Sequence, residues 1–219
     1  MIRLGAIVVA LALTTGPALT QMPDEDAQFN AATQAVRDRD FRRAVALFEP
    51  LAEADIPDAQ FNLAVLFRQG RGRPQNHVEA LYWSALALLS DGAYAQDMVE
   101  ELLDSLPPSA REEVVTRLLD RLMAQADAGQ IDAPRKLARV YTELMAEPDV
   151  RLGYIWFSIC HALGNNQCTE GRDDAADDIE PVDLIDIQIE AGEIFAGLPF
   201  ARPPEPDSAA PMDQSSVLR

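Results

Sequence analysis

Residues 44–60 and residues 80–96 carry one pattern twice, 36 positions apart. The first copy reads AVALFEPLAEADIPDAQ and the second ALYWSALALLSDGAYAQ. Ala44 matches Ala80, Leu47 matches Trp83, Asp55 matches Asp91, and Ala59-Gln60 matches Ala95-Gln96. Self-similarity at a period of about 20–50 residues marks a chain built by stacking one supersecondary unit, because a single unit cannot bury its own apolar face. A longer period overlies the short one. At an offset of 73, Trp83 falls on Trp156, Ala87 on Cys160, Ala95 on Cys168 and Pro108 on Pro181. Asp58, Ala59, Leu63 and Phe67 recur at an offset of 74 as Asp132, Ala133, Leu137 and Tyr141. The chain thus reads as two related halves, roughly 41–115 and 115–188.

Within each unit the apolar residues recur at helical spacing. Phe29, Ala32 and Val36 form one stripe, and Phe41, Ala44, Leu47, Phe48 and Leu51 the next. Asp38-Arg39-Asp40 reads as the turn between them. Pro57-Asp58 opens a helix with Ala59, Leu63, Leu66 and Phe67 on one face. Gly70 is placed to end it in the left-handed conformation, and Pro74 blocks its continuation. Pro108 and Pro181 each start a helix, since the first helical turn leaves its N–H groups unbonded anyway. No stretch shows convincing strand alternation, so the fold is expected to be all-α.

The two ends read differently. Met1-Ile2-Arg3, the apolar run Leu4–Leu13 and the small residues Gly16 to Thr20 form the pattern of a secretory signal peptide. Residues 1–20 are assigned to it, with cleavage after Ala18 or Thr20. The run is shorter than the roughly 20 apolar residues a membrane span needs, so no membrane insertion is expected after cleavage. Pro23 to Asp26 is a polar lead-in. From Leu198 the chain is rich in proline and poor in apolar residues, and residues 199–219 are expected to be disordered. The net charge is −18, from 18 basic and 36 acidic residues. Loss of residues 1–20, which contain Arg3 and no acid, leaves −19. So acidic a chain is a poor ligand for nucleic acid or an anionic lipid surface, and a good one for a partner with a basic patch.

Export changes the meaning of the two cysteines, since in an oxidising compartment a pair is expected to be bonded. Cys160 and Cys168 are eight apart. On one continuous helix that spacing is about 12 Å of rise, too far for a disulfide. Leu163-Gly164-Asn165-Asn166 lies between them and has turn chemistry. If the chain reverses there, the two face each other across a helical hairpin; the alternative is two inert buried thiols.

The residues that could carry chemistry are few. His77 lies in a polar loop and His161 follows Cys160, with no second histidine at metal-ligand spacing. Ser84 and Ser158 occupy corresponding places but sit in neither a nucleophile elbow nor a Ser-x-x-Lys motif. Lys136, the only lysine, has no nucleophile near it in sequence. The acids Asp173, Asp174, Asp177, Asp178 and Glu180 lack calcium-loop spacing and read as a solvated helix face. No cofactor, metal or catalytic residue is assigned. One surface feature stands out in so acidic a chain: Arg68, Arg71 and Arg73 cluster on one loop, downstream of Arg42 and Arg43. They are a candidate docking spot for a carboxylate-bearing partner.

The segment DAQFNLAVLFRQGRGRPQNHVEALYWSALALLSDGAYAQ resembles the Sel1-like repeat, a relative of the tetratricopeptide repeat distinguished by a Gly-x-Gly loop between its helices. The family's positions fall here on Ala59, Leu63, Phe67, Gly70, Gly72, Ala80, Trp83 and Ala95, with Trp156 repeating Trp83 in the second half. The match is strong over 41–96, weaker over 126–170, where Met145-Ala146-Glu147-Pro148 replaces the Gly-x-Gly loop, and loose over 97–125. The resemblance implies a right-handed α-solenoid of stacked helix-turn-helix units over 41–198, with 21–40 as a lead-in and first helix. It implies that Cys160 and Cys168 form a disulfide, because cysteine-rich members lock each hairpin with pairs eight apart. It also implies a monomeric, periplasmic or secreted adaptor or regulator that binds other envelope proteins and has no catalysis of its own. The alternative implied by some cysteine-rich relatives is binding or hydrolysis of β-lactam or peptidoglycan-like ligands.

Overall fold

A computed structural model describes residues 25–201. The expected signal peptide at 1–20 and the expected tail beyond residue 201 lie outside the described residues. The chain is an all-α solenoid. Ten α-helices follow one another in the described part: α1 Glu25–Arg37, α2 Phe41–Glu53, α3 Pro57–Gln69, α4 His77–Leu89, α5 Gln96–Ser105, α6 Pro108–Asp127, α7 Ala133–Arg139, α8 Val150–Ala162, α9 Cys168–Asp177 and α10 Pro181–Gly197. Among the described residues no helix is long and apolar enough to cross a membrane.

Short polar caps set the helix starts. The Asp40 carboxylate accepts from the Arg43 N–H at the head of α2, the Asn76 side chain from Val78 and Glu79 at α4, and the Asp149 carboxylate from Leu152 at α8. Each satisfies donors that the first helical turn leaves free. Proline opens α3, α6 and α10. Gly70 ends α3 at φ 65°, in the left-handed region. Gly72 follows at φ 80°, and a Cβ there would come within 2.4 Å of the Phe41 carbonyl oxygen. The Gly-x-Gly loop therefore lies against the start of α2, at a distance that excludes any side chain.

A second turn type recurs with the repeat. Asp55, Asp91, Gly129 and Gly164 have φ of 61°, 67°, 81° and 90°, and each ends the second helix of a pair. A left-handed residue reverses the chain into the next unit, and an aspartate tolerates that conformation better than most L-residues.

The core runs along the stack. Each early helix packs on its neighbours in sequence, α1 on α2, α2 on α3 and α3 on α4. Ala44, Ala59, Ala80, Ala87 and Ala95 are fully buried, and Trp83 and Trp156 are buried in the same core. The later helices break the simple order. Both α5 and α6 pack on α4, and α10 packs on α8 alongside α9. Two groups of four helices thus pack in a similar order, α3–α6 and α7–α10, with bounds shifted from the 41–115 and 115–188 halves of the sequence. Where the Gly-x-Gly loop is missing, α7 continues as a π-helical turn over Val140–Leu144. The Arg111 side chain closes it, donating to the Leu144 and Met145 carbonyls at 2.8 Å each. At the other end, Leu198 is buried and Pro199–Ala201 form a 3-10 turn with Phe200 against the core. The first three residues of the expected disordered segment thus have a defined place.

Candidate docking surface

Arginines tie distant turns together. Arg117 meets Glu79 with both arms, at 2.8 and 3.2 Å, and lies 4.1 Å over the Tyr82 ring. Arg121 reaches Glu53 and Asp55 in the first turn of the stack, at 2.6 and 2.9 Å. Burial would lower the Arg121 pKa, but the hydrogen bond to Glu53 and the Asp55 charge outweigh it and raise it. These contacts cross about 38 to 68 sequence positions. Nothing in the local pattern of the sequence announces them.

The three loop arginines are drawn into the same kind of work. Arg68 pairs with Glu101 of α5, and Arg73 pairs with Glu49 of α2 at 2.6 Å and lies 6.0 Å from the Phe67 ring centre. Arg71 stacks 5.0 Å over Phe41 and, with Arg37, Arg39 and Val36, lines a small cavity of about 330 Å³. The loop therefore does not present three free guanidinium groups side by side. Arg71 is the one that shares an exposed corner with other cations.

The remaining candidates are placed as follows. Cys160 and Cys168 are bonded across the α8–α9 turn, with Cα atoms 6.1 Å apart. Ser84 is buried and donates to the Leu81 carbonyl at 3.2 Å, and the Ser158 hydroxyl is buried with no partner. The His161 Nδ1 lies 3.1 Å from the Thr169 hydroxyl. Lys136 is buried beside a polar groove of about 480 Å³ that also takes Asp55, Asp91, Gln125, Asp132 and Gln167. Burial pushes its ammonium below the ordinary lysine pKa, partly offset by the Asp55 and Asp132 charges. Tyr94 bonds through its hydroxyl to Asp58, and burial followed by that bond raises its pKa.

Two grooves share one residue, Arg151. The first, about 750 Å³, lies between α6 and the segment 145–151 and is lined by the apolar Val115, Leu119 and Met145 together with the charged Arg111, Glu112 and Glu147. The second, about 450 Å³, runs between Arg151 and α10 and is lined by Asp178, Glu180, Asp183, Asp186 and Glu190. Arg151 belongs to both and forms an ion pair with Glu190. Next to the acidic groove, α10 turns Val182, Ile185 and Ile189 to solvent, at 76%, 62% and 57% exposure. Sequence reasoning missed this surface. The i, i+3, i+7 spacing of those three residues was its available signal, hidden because α10 also has a second, buried apolar face through Ile187 and Ala191.

Comparison with known proteins fits this architecture. The family model described as "Sel1 repeat" matches residues 26–56 and 57–90. The first unit thus takes in α1, and each unit ends at the turn that follows a second helix. No curated protein matches. Among solved structures, one similar chain is a protective antigen present in uropathogenic Escherichia coli strains that displays an SLR fold. It is 18% identical, with a TM-score of 0.32 over 80% of this chain and 46% of that one. The present chain thus spans less than half the length of that relative. Residues 26–90 thus carry two Sel1 repeats, and helix-pair stacking continues beyond them.

Proposed function

We propose that the protein is an exported protein-interaction module that works as an adaptor or regulator in the cell envelope, without chemistry of its own. The observation that carries this is the pair of Sel1 repeats at 26–56 and 57–90. Such repeats generally mediate protein–protein contacts, and a stacked array offers one long surface drawn from many units. The two grooves that share Arg151 are lined by both apolar and charged side chains, a composition that suits a peptide-docking surface. Export is supported by the leader-like residues 1–20 and by the bonded Cys160 and Cys168. The corner around Arg71, with Arg37 and Arg39, is a secondary contact for a carboxylate. Arg68 and Arg73 contribute to it only by releasing Glu101 and Glu49.

The test is crosslinking of the tagged chain in its own cells, then purification and mass spectrometry. A recurrent envelope partner is expected, together with a mature N terminus just after residue 18 or 20. No partner above background, or an intact leader on cytoplasmic protein, overturns the reading. The volume of the α6 groove also suits a small ligand, since such sites span about 300–1,000 Å³. Saturable turnover of a penicillin-type substrate by clean protein would establish that second reading in place of the first.

A further inference from the structure

The corresponding helices α6 and α10 share two buried positions and carry different residues at three shared exposed ones. Pro108 aligns with Pro181, Val114 with Ile187 and Leu118 with Ala191, and both members of the last two pairs are buried. In this register Val182, Ile185 and Ile189 correspond to Ser109, Glu112 and Thr116, all exposed. The fold therefore asks for no apolar residue at these places; α6 fills them with polar ones. Solenoids ordinarily close with a polar outer face. The first helix does so, with Glu25, Asp26, Asn30 and Gln34 exposed on α1. α10, the last described helix, exposes apolar residues at these places.

The exposed stripe has a definite period. Val182, Ile185, Ile189, Gly192 and Ala196 follow at alternating spacings of three and four, the seam along which a second helix packs. Gly192 has open space around its Cα, so the chain's own packing does not require a glycine there. A glycine inside a helix weakens it, and on a seam it admits close approach. Along one flank of the seam stand Asp183, Asp186, Glu190 and Glu193, continuous with Asp178 and Glu180 in the acidic groove.

We infer that α10 is a docking seam for a basic amphipathic helix of another protein, whose apolar stripe covers Val182, Ile185 and Ile189 while its lysines or arginines enter the acidic groove. Charge chooses this occupant over the others. A second α10 would bring a second acidic flank against the first, and like charges oppose such pairing. The basic corner of a second copy, at α1–α2, sets its arginines beside only the half-buried Val36 and Phe41, too little to cover a stripe of three exposed apolar residues. Residues 202–219 hold three acids and two arginines, and residues 1–24 hold Arg3 as their only base, so neither end supplies the complementary charge. Helix-in-groove recognition of this type is read through anchors at i, i+3 and i+7. The inference rests on the interaction-module reading and names the chemistry of its partner.

The test uses the chain as processed in the cell and a synthetic helical peptide of the same 17-residue length as α10. The peptide has leucine at alternating spacings of three and four and lysine on the flanks. It is expected to bind, with a scrambled peptide of the same composition about tenfold weaker or worse. The pair Ile185→Ser and Ile189→Ser should weaken binding by about tenfold without moving the melting temperature. Ile189→Ala alone serves as the milder variant if the pair disturbs folding. Asp183→Asn with Asp186→Asn should weaken binding and reduce its salt dependence, while Asp97→Asn, at an exposed position of α5, should not. Equal binding of the scrambled peptide, or unchanged binding by the isoleucine variants, overturns the seam. So does a wild-type dimer that Ile185→Ser dissolves, which would make the occupant a second copy. A large gain in affinity on removing residues 202–219 would make it the chain's own tail. If crosslinking captures the same partner with and without the isoleucine changes, the seam fails and the interaction-module reading stands. If wild type captures nothing, that reading fails whatever the peptide does.

Discussion

The Arg135 guanidinium grips both carboxylate oxygens of Asp91, at 2.8 and 2.9 Å, and so fastens α7 to the left-handed turn that ends α4, 44 residues earlier. The pair is lopsided in its exposure: the Arg135 side chain is 10% exposed and the Asp91 side chain 61%. Removing the aspartate strands a buried cation, whereas removing the arginine leaves an acid that water can solvate. Asp91→Asn, which keeps the turn's backbone preference, is therefore expected to cost about 2 kcal/mol. Arg135→Met is expected to cost about 1 kcal/mol or less, and the double variant no more than Arg135→Met. Urea unfolding measures all three. A larger loss for Arg135→Met would mean that the arginine acts through the packing of its stem.

The Gly-x-Gly loop separates two demands on a glycine. At Gly70 the backbone is left-handed and a Cβ would lie 3.2 Å from Gln75 Cβ and N, a tight approach that a small shift of the loop relieves, so Gly70→Ala should cost about 1 kcal/mol, mainly from the conformation. At Gly72 the same conformation is joined by the Phe41 carbonyl, a backbone group that cannot swing aside. Gly72→Ala should cost at least about 2 kcal/mol. Equal melting temperatures for the two variants would show that α2 shifts without penalty.

The Cys160–Cys168 bond closes a short loop between α8 and α9. Restricting the unfolded chain in this way contributes about 2–3 kcal/mol in the loop-entropy account. Cys160→Ser should lower the melting temperature under oxidising conditions and match the wild type once both are reduced. A deficit that persists in reductant would assign the loss to packing at a fully buried position.

Lys136 gives the stability a defined pH dependence. Its pKa is lowered in the folded chain, mainly by burial. The folded state thus sheds this proton before the unfolded state does. The cost of burying the charge is full at pH values below the folded pKa, and it shrinks as the pH rises through that value toward the ordinary lysine pKa of 10.5. Lys136→Met is expected to melt higher than wild type at pH 7, by a margin that narrows by pH 10. A lower melting temperature at pH 7 would show that attraction to Asp55 and Asp132 exceeds the burial cost.

Much of the fold could be read from residues because repetition converts a long-range question into a local one. Ala59, Leu63 and Phe67 had to face the same core as their copies, and Gly70 had to end its helix. The turn before α2, at Asp38-Arg39-Asp40, follows from the same logic, as do the prolines that open α3, α6 and α10. The docking surface was harder to read because it depends on what a helix lacks. A run such as Val182-Asp183-Leu184-Ile185 looks the same whether its isoleucine is buried or bare. Only the placement of α8 against Ile187 and Ala191 shows that the other face is spare. The loop arginines misled in the opposite sense: Arg68 and Arg73 look free in sequence, and their acids, Glu101 and Glu49, come from other helices.

The reach of Arg121 has a consequence for how the molecule comes apart. A stack held only by neighbouring contacts frays from either end. Arg121 and Gln125 on α6 hold Asp55 and Glu53 in the first repeat, so α2 through α6 are clasped into one cooperative block. At the far end α10 is held to α8 by its buried face and the Gln188–Tyr154 bond, and to the start of α8 by Arg151–Glu190. Native-state hydrogen exchange should therefore find α10 among the first helices to open and the α2–α6 block among the last. The helix that offers the apolar seam is then also one with order to gain, and a partner that seats there would hold closed a helix that otherwise opens early.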